Sequence, residues 1–339
     1  MSVAASRQTA ARARSVLLGL AIVLGASLAA VAAIGGVPID FARALDWSGA
    51  ESPDQVILFR TRLPRVLLGA VVGGGLAAAG AALQALLRNA LASPDVIGIS
   101  GGASLGAVAI LALRVRGPAW LLVPGAAFVA SLLTLGMIVR LSTVRGRLNP
   151  YSLLLVGVIA NTVAAALIMF VTALVDSLRA QGVLVWLSGS LAHRSYPMVA
   201  VIAILTIGPA AVLWTQARSL NLLALGEEAA TQLGTDVARV RRTSFLASAL
   251  LVGASVSVAG VIGFVGLIVP HCLRLVIGSD QRLLIPASFL GGAIFLVWAD
   301  AAARTLLAPT EIPVGVLTAL CGGPFFVFLL RRQQEGRGI

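Results

Sequence analysis

Residues 64–87 read PRVLLGAVVGGGLAAAGAALQALL. After Arg65 the stretch carries no charge, and it reaches the roughly 20 apolar residues that a helix needs to cross the hydrocarbon core of a bilayer. Its many glycines and alanines are the residues that let neighbouring helices approach closely in lipid. The stretch therefore predicts a membrane-spanning helix that packs tightly against other helices.

The whole chain has the composition of this stretch. Of its 339 residues, 59% are hydrophobic and 11% are charged, whereas soluble domains are about 45–50% apolar and about 25% charged. A water-soluble fold could not hide so much apolar surface, so the sequence predicts an all-α polytopic membrane protein. About ten transmembrane helices are expected, at residues 15–36, 64–87, 95–113, 119–140, 151–174, 196–216, 240–260, 261–277, 283–302 and 313–331.

These segments form a single domain, residues 1–339, with two longer loops. Residues 37–63 are expected on the outer side and residues 217–239 on the inner side. An even number of spans places both termini on one side of the membrane. Sixteen of the 25 basic residues then fall on that side and nine on the other. Because basic residues are enriched in cytoplasmic loops, this bias predicts cytoplasmic termini.

Several classes of function are excluded by what the sequence lacks. The formal net charge is +12, and every basic residue is Arg, but the arginines lie between apolar runs and not on a soluble face that could bind nucleic acid. A phosphate-binding glycine-rich loop with its Lys is missing, so the chain is not expected to hydrolyse ATP. The two histidines, His193 and His271, have no neighbours at metal-ligand spacing. We expect neither an enzyme nor a bound cofactor or metal.

The inner loop contains the most informative local sequence, residues 220–234, LNLLALGEEAATQLG. The pattern predicts a short helix that ends at Gly234. Glu227 and Glu228 would lie in its first turn, where the helix dipole favours acidic side chains. Such a helix is too short to span the membrane. It is either a surface helix of a loop or a docking helix for a soluble partner.

Several blocks, in the same order, resemble the iron-chelate (siderophore), haem and cobalamin permeases of ABC importers, the FecCD-like transmembrane subunits. Residues 228–234 resemble the EAA loop by which importer permeases contact their ATPases. The resemblance extends over roughly residues 55–332. Its further blocks are Arg62-Leu63-Pro64-Arg65, Gln84 with Arg88 to Pro94, Trp186 to Leu191, Gly263 to His271, Glu311 to Gly315 and Gly323 to Phe326.

The resemblance implies a type II ABC importer permease fold and a set of partners. These are a second permease subunit in a homodimer, two cytoplasmic ATPases that use the ATP, and a periplasmic or lipid-anchored substrate-binding protein. The chain itself would lie in the inner membrane of a bacterium. The residues that resemble the ATPase-coupling positions are Leu220, Asn221, Gly226, Glu227, Glu228, Ala229, Ala230 and Gly234.

The resemblance also implies two further sites. Arg62, Arg65 and Arg304 match outer positions that receive acidic side chains of the binding protein, and the alternative for them is interfacial anchoring or pairing with Asp300. Asn89 and Leu91 match a loop that narrows the inner mouth of the substrate path, and the alternative is a simple connecting loop.

The expected function is ATP-driven alternating access for an iron chelate, either a ferric siderophore or haem. Cobalamin is the second expectation, and a molybdate-like oxyanion is the third. A different class is a secondary transporter or channel that works without an ATPase. That class favours carboxylates inside the spans for ion coupling, whereas Asp95 and Asp300 lie near the ends of predicted helices.

Overall fold

The computed structural model describes residues 3–48, 51–113, 115, 117–144, 147–192 and 195–335. The helices are α1 (Val3–Ala33), α2 (Phe41–Ala44), α3 (Pro53–Gln55), α4 (Leu63–Leu86), α5 (Ile99–Ala112), α6 (Ala119–Ser142), α7 (Pro150–Leu174), α8 (Ser177–Leu187), α9 (Tyr196–Thr215), α10 (Ala217–Ala224), α11 (Glu227–Gln232), α12 (Val237–Ala259), α13 (Val265–Ile277), α14 (Gln281–Thr305) and α15 (Val314–Glu335). A π-helix (Val56–Arg62) precedes α4 and a 3-10 helix (Pro94–Ile97) precedes α5. Strands β1 (Thr143–Val144) and β2 (Arg147–Leu148) form a small antiparallel pair.

The prediction of about ten spans is confirmed. Among the described residues, seven helices are long and apolar enough to cross a membrane: α1, the continuous stretch Pro53–Leu86, α6, α7, α9, α12 and α14. Three shorter apolar helices complete the set, namely α5, α13 and the Val314–Val327 part of α15. The uncharged stretch 249–273 is divided near Gly260 as expected, because α12 ends at Ala259 and α13 begins at Val265.

Helix α4 occupies the centre of the bundle, with α9, α12, α13 and α14 around it. In the continuous span Pro53–Leu86, which ends with α4, 89% of the most apolar 18-residue stretch is buried. Two glycines allow this packing, since a Cβ atom at Gly73 would overlap the backbone of Gly292 and one at Gly80 would overlap the backbone of Gly266. The backbones of α14 and α13 therefore lie directly against α4.

The outer helices have the opposite character. Of the most apolar 18-residue stretch, only 17% is buried in α1 and in α7, and 22% in α9. Large apolar side chains such as Met169 and Ile204 are 74% and 73% exposed. Surfaces of this size and composition need lipid or another protein to cover them.

Two features of the loops differ from the sequence-based expectation. Helix α8 was not predicted, because its 11 residues are too few for a span and lie between two spans. The inner segment holds two short helices, α10 and α11, separated by Gly226 at φ +122°; α11 is the predicted short helix with Glu227 and Glu228 in its first turn, whereas α10 was not predicted. The outer loop contains the short helix α2.

Replacing Gly80 by Ala should destabilise the bundle. The new methyl group would meet the backbone of Gly266, and overpacking of this kind costs about 1–3 kcal/mol. The matched control is Gly136→Ala in α6, where no atom lies within 4 Å of the added Cβ. Thermal unfolding in detergent should show a lower midpoint for Gly80→Ala only. Equal midpoints for the two variants would contradict the packing described for α4.

Candidate functional site

The inner segment 217–239 is anchored through one face and exposed on the other. Leu220, Leu223 and Ala230 are fully or almost fully buried, whereas Leu225 and Leu233 are 69% and 61% exposed. Helix α10 therefore packs into the bundle, and the connection to α11 and the end of α11 project from it. This arrangement is that of a fixed element with a free surface, which suits docking of another protein.

The coupling residues predicted from the sequence take different places in this segment. Helix α11 begins at Glu227, and Gly234 follows its end in a left-handed conformation, φ +80°, as expected. Glu227 pairs with Arg241 of α12, so its carboxylate is partly used inside the chain. Glu228 is exposed and makes no ion pair or hydrogen bond to another side chain among the described residues. Ala229 is half-buried beside it.

Asn221 fixes helix α10 to the beginning of α14. Its side-chain amide donates to Asp280 Oδ1 at 2.7 Å, and its Oδ1 accepts from the backbone N–H of Gln281 at 2.9 Å. The guanidinium of Arg282 holds the pKa of Asp280 at about 2, with Asn221 contributing. Asp280 is therefore a carboxylate at every physiological pH, and its bond to Asn221 is charge-assisted.

The loop after α4 is built by Asn89. Its side-chain Oδ1 accepts from the backbone N–H of Leu91 at 2.9 Å, and its carbonyl oxygen accepts from Ala92 at 3.1 Å. Asn89 is exposed and Leu91 is half-buried. Asn89 therefore shapes a tight turn that presents Leu91 at the end of the bundle where α4 ends. The role of Asn89 and Leu91 as a gate stays a prediction.

A cavity of about 630 Å³ brings the predicted gate and the predicted coupling segment together. It lies between the loop after α4, helix α10 and the junction of α13 with α14. The lining residues that carry polar groups are Gln84, Arg88, Asn89, Asn221, Arg274, Ser279, Asp280 and Gln281. Two regions that are more than 100 residues apart in sequence thus share one polar cleft.

The three outer arginines are buried and already have partners. Arg62, Arg65 and Arg304 are 4%, 7% and 5% exposed. Arg65 Nε lies 2.9 Å from Asp300 Oδ2, its Nη1 lies 2.9 Å from Glu311 Oε2, and Arg304 Nε lies 3.2 Å from Asp300 Oδ2. The alternative of pairing with Asp300 is therefore what Arg65 and Arg304 adopt in this structure.

Arg62 binds backbone and not a carboxylate. Its guanidinium donates to the carbonyl oxygens of Ala33, at 2.7 Å, and of Ala32 and Val37. The cluster of three arginines, Asp300 and Glu311 keeps one positive charge in excess, and a cavity of about 300 Å³ opens onto it. Docking of an acidic partner there stays a prediction. Sequence reasoning did not find Glu311 as the second partner of Arg65, although Glu311 opens one of the quoted blocks.

Metal-ligating side chains do not cluster in the part of the chain that the structure describes. His271 lies in α13 and is 8% exposed, and His193 lies outside the described residues. The fold and these surfaces define a polytopic helical membrane protein with a projecting inner segment.

Comparison with known proteins identifies the family. The FecCD transport family matches residues 12–332. The hemin transport system permease protein HmuU of Yersinia pestis is 43% identical over 284 residues, covering 83% of this chain and 85% of that protein. The cobalamin import system permease protein BtuC of Halobacterium salinarum is 41% identical over 336 residues, covering 95% and 88%.

A solved structure agrees with these relatives. A metal-chelate type ABC transporter in an inward-facing conformation superposes with a TM-score of 0.82 at 29% identity, covering 94% of this chain and 99% of that chain. The chain belongs to the FecCD transport family. It is the permease of an ABC importer and a multi-pass membrane protein.

Truncating Arg65 should destabilise the chain far more than truncating an exposed arginine. Arg65→Ala leaves Asp300 and Glu311 with one partner fewer. Breaking a buried pair costs roughly 3–5 kcal/mol, and the lower end is expected because Arg304 still contacts Asp300. Arg60→Ala is the control, since Arg60 pairs with Glu51 at the surface, where a pair contributes about 0–1 kcal/mol. Unfolding in detergent measures both, and similar midpoints would argue against a structural role for Arg65.

Proposed function

We propose that this permease carries an iron chelate, a ferric siderophore or haem, across the inner membrane of a bacterium by ATP-driven alternating access. Support for the substrate class comes from relatives named for hemin and for Fe(3+)-citrate, the latter being YfmE of Bacillus subtilis, 38% identical over 293 residues. Cobalamin is the second candidate, because relatives named for cobalamin or vitamin B12 import are equally similar.

The observation that carries the ATP-driven mechanism is the inner segment with its buried anchor and exposed surface. Leu220 and Asn221 hold the segment to the bundle, while Glu228 and Leu225 face outward. In this proposal two cytoplasmic ATPases bind that surface, and their closure pushes α10 and α11. ATP is bound and hydrolysed by those partners, and this chain holds no cofactor.

The remaining partners follow from the other surfaces. A second copy of the permease covers part of the apolar surface that α7 and its neighbours leave exposed. The substrate path would lie between the two copies. A binding protein on the outer side delivers the substrate and approaches the cluster of Arg62, Arg65 and Arg304. Both termini are cytoplasmic, on the same side as the inner segment.

A transporter that works without an ATPase is the alternative class. Asp300, near the end of α14, pairs with both Arg65 and Arg304. An ion-coupling carboxylate must be able to bind and release its ion, and a carboxylate held by two buried guanidinium groups is poorly suited to that. This disfavours the alternative.

Replacing Glu228 by Arg should abolish association with the ATPase. Glu228 is exposed on α11, so the change reverses a surface charge without disturbing the core. The measurement is co-purification of the ATPase with the tagged permease. Glu51→Arg, on the outer loop, is the control and should leave association unchanged. Normal membrane insertion of Glu228→Arg together with unchanged association would refute the docking role.

The substrate class is testable in the reconstituted complex. Permease, ATPase and the binding protein encoded beside them are placed in liposomes, and ATP hydrolysis is followed with the binding protein loaded in turn with hemin, a ferric siderophore or cobalamin. An iron chelate is expected to give the largest stimulation and to be taken up. Uptake of cobalamin alone would establish the second candidate and exclude the first.

A further inference from the structure

Helix α13 is bonded to the last turn of α4, where the loop that follows α4 begins. Gln84, in the last turn of α4, donates from Nε2 to the carbonyl oxygens of Gly266 and Leu267, at 3.4 Å each. Its Oε1 accepts from Arg274 Nη2 at 2.9 Å. One side chain thus contacts the first and the last part of α13, immediately before the loop of Asn89 and Leu91 begins.

The far end of the same loop is attached to the beginning of α13. The carboxyl group of Asp95 accepts a hydrogen bond from the hydroxyl of Ser93, at 3.1 Å, and lies beside Gly263, where an added Cβ atom would be 3.5 Å from Asp95 Oδ2. Phe264 is the N-cap residue of α13 and has φ +68°, a conformation that residues other than glycine rarely adopt.

A further bond connects this end of the loop to α7. Asn161, halfway along α7, donates from Nδ2 to the carbonyl oxygen of Asp95 at 2.8 Å and accepts from the backbone N–H of Gly101 at 3.0 Å. Pro94 packs on Gly266, where an added Cβ would meet the proline ring. The loop is therefore held at its two ends by neighbouring helices, and α13 contacts both ends.

The opposite end of α13 meets the inner segment. Helix α13 ends at Ile277, and Gly278 and Ser279 connect it to Asp280. The carboxylate of Asp280 accepts a hydrogen bond from the side-chain amide of Asn221. Helix α10 is thus bonded to the junction that directly follows α13. A rigid helix with specific bonds at its two ends can transmit a displacement from one end to the other.

We propose that α13 transmits the movement of helix α10 to the loop of Asn89 and Leu91, and that Asp280 and Asp95 are the positioning residues at its two ends. A push on α10 moves the junction at Asp280. Helix α13 moves with the junction, and its contacts at Asp95 and Gln84 displace the loop in the same direction. This inference rests on the proposed ATPase docking at the inner segment. A competing route passes directly from Leu220 and Leu223 to α4, because these leucines pack in one hydrophobic cluster with α4.

The test follows the loop in the permease–ATPase complex in liposomes. Leu91→Cys reports the position of the loop through its labelling rate with a membrane-impermeant maleimide. Cys272 and Cys321, which are free thiols, are first replaced by Ala. In this parent, ATP with vanadate is expected to change the labelling rate. Asp95→Ala should reduce that change by at least about fivefold, the lower end of typical allosteric couplings, while ATP hydrolysis and ATPase association persist.

Three comparisons interpret the result. Asp95→Asn keeps an oxygen that can accept from the hydroxyl of Ser93 and should restore part of the response. Asp176→Ala removes the N-cap of α8, away from α13, and should leave the response unchanged. Asp280→Ala repeats the test at the other end of α13. It replaces Asp95→Ala as the test if Asp95→Ala does not insert into the membrane.

The outcomes separate this inference from the proposed function. A full labelling response in both Asp95→Ala and Asp280→Ala, with the ATPase bound, would overturn the role of α13 and favour the direct route through α4. Failure of the ATPase to associate with the parent would refute the docking of the ATPase itself, and the role of α13 with it. Loss of the response with association retained supports the proposal.

Discussion

The backbone of α4 touches two neighbouring helices, and the rest of the bundle depends on that contact. In lipid, apolar side chains gain little by leaving their surroundings, so helices associate through close packing of small residues. Gly73 and Gly80 provide that packing, one against α14 and the other against α13. Because α14 and α13 both pack on the same central helix, the polar groups at the two ends of α4, Arg65 and Gln84, lie beside their partners.

Charge at the outer end of α4 follows from the same arrangement. Two carboxylates, Asp300 and Glu311, lie against Arg65, and Arg304 approaches Asp300 from one turn further along α14. Buried charges are tolerated when they are paired and hydrogen-bonded. This pairing explains how Arg65 and Arg304 can be buried at this end of the bundle. The arginine cluster therefore has two properties. Through Asp300 it stabilises the packing of α4 against α14, and it keeps a net positive charge on the side where Glu311 is half exposed.

The spans could be predicted from the sequence, because each one is recognised from the length and the lack of charge of its own stretch. Pairing with Asp300 was the alternative given for the three arginines, and sequence spacing supports it for Arg304, four residues away on the same helix. Spacing gave no indication of Arg65 with Asp300 or of Asn221 with Asp280, since 235 and 59 residues separate the partners and only packing brings them together. Helix α10 was missed because its eight residues, between a span and a short helix, are compatible with both a helix and an irregular loop.

Helices α5 and α13 are shorter than a full span, and their lengths bear on how the protein can move. Each is preceded by an irregular segment, residues 87–98 and 260–264, whose backbone groups must find partners within the protein if they lie at membrane depth. The side chain of Asn161 supplies one such partner, to the carbonyl oxygen of Asp95. Bonds of this kind can be exchanged for others without unwinding a helix, whereas a continuous span resists any change along its length. The short helices, with their bonded ends, are therefore the elements that can shift while α4 and α14 stay packed.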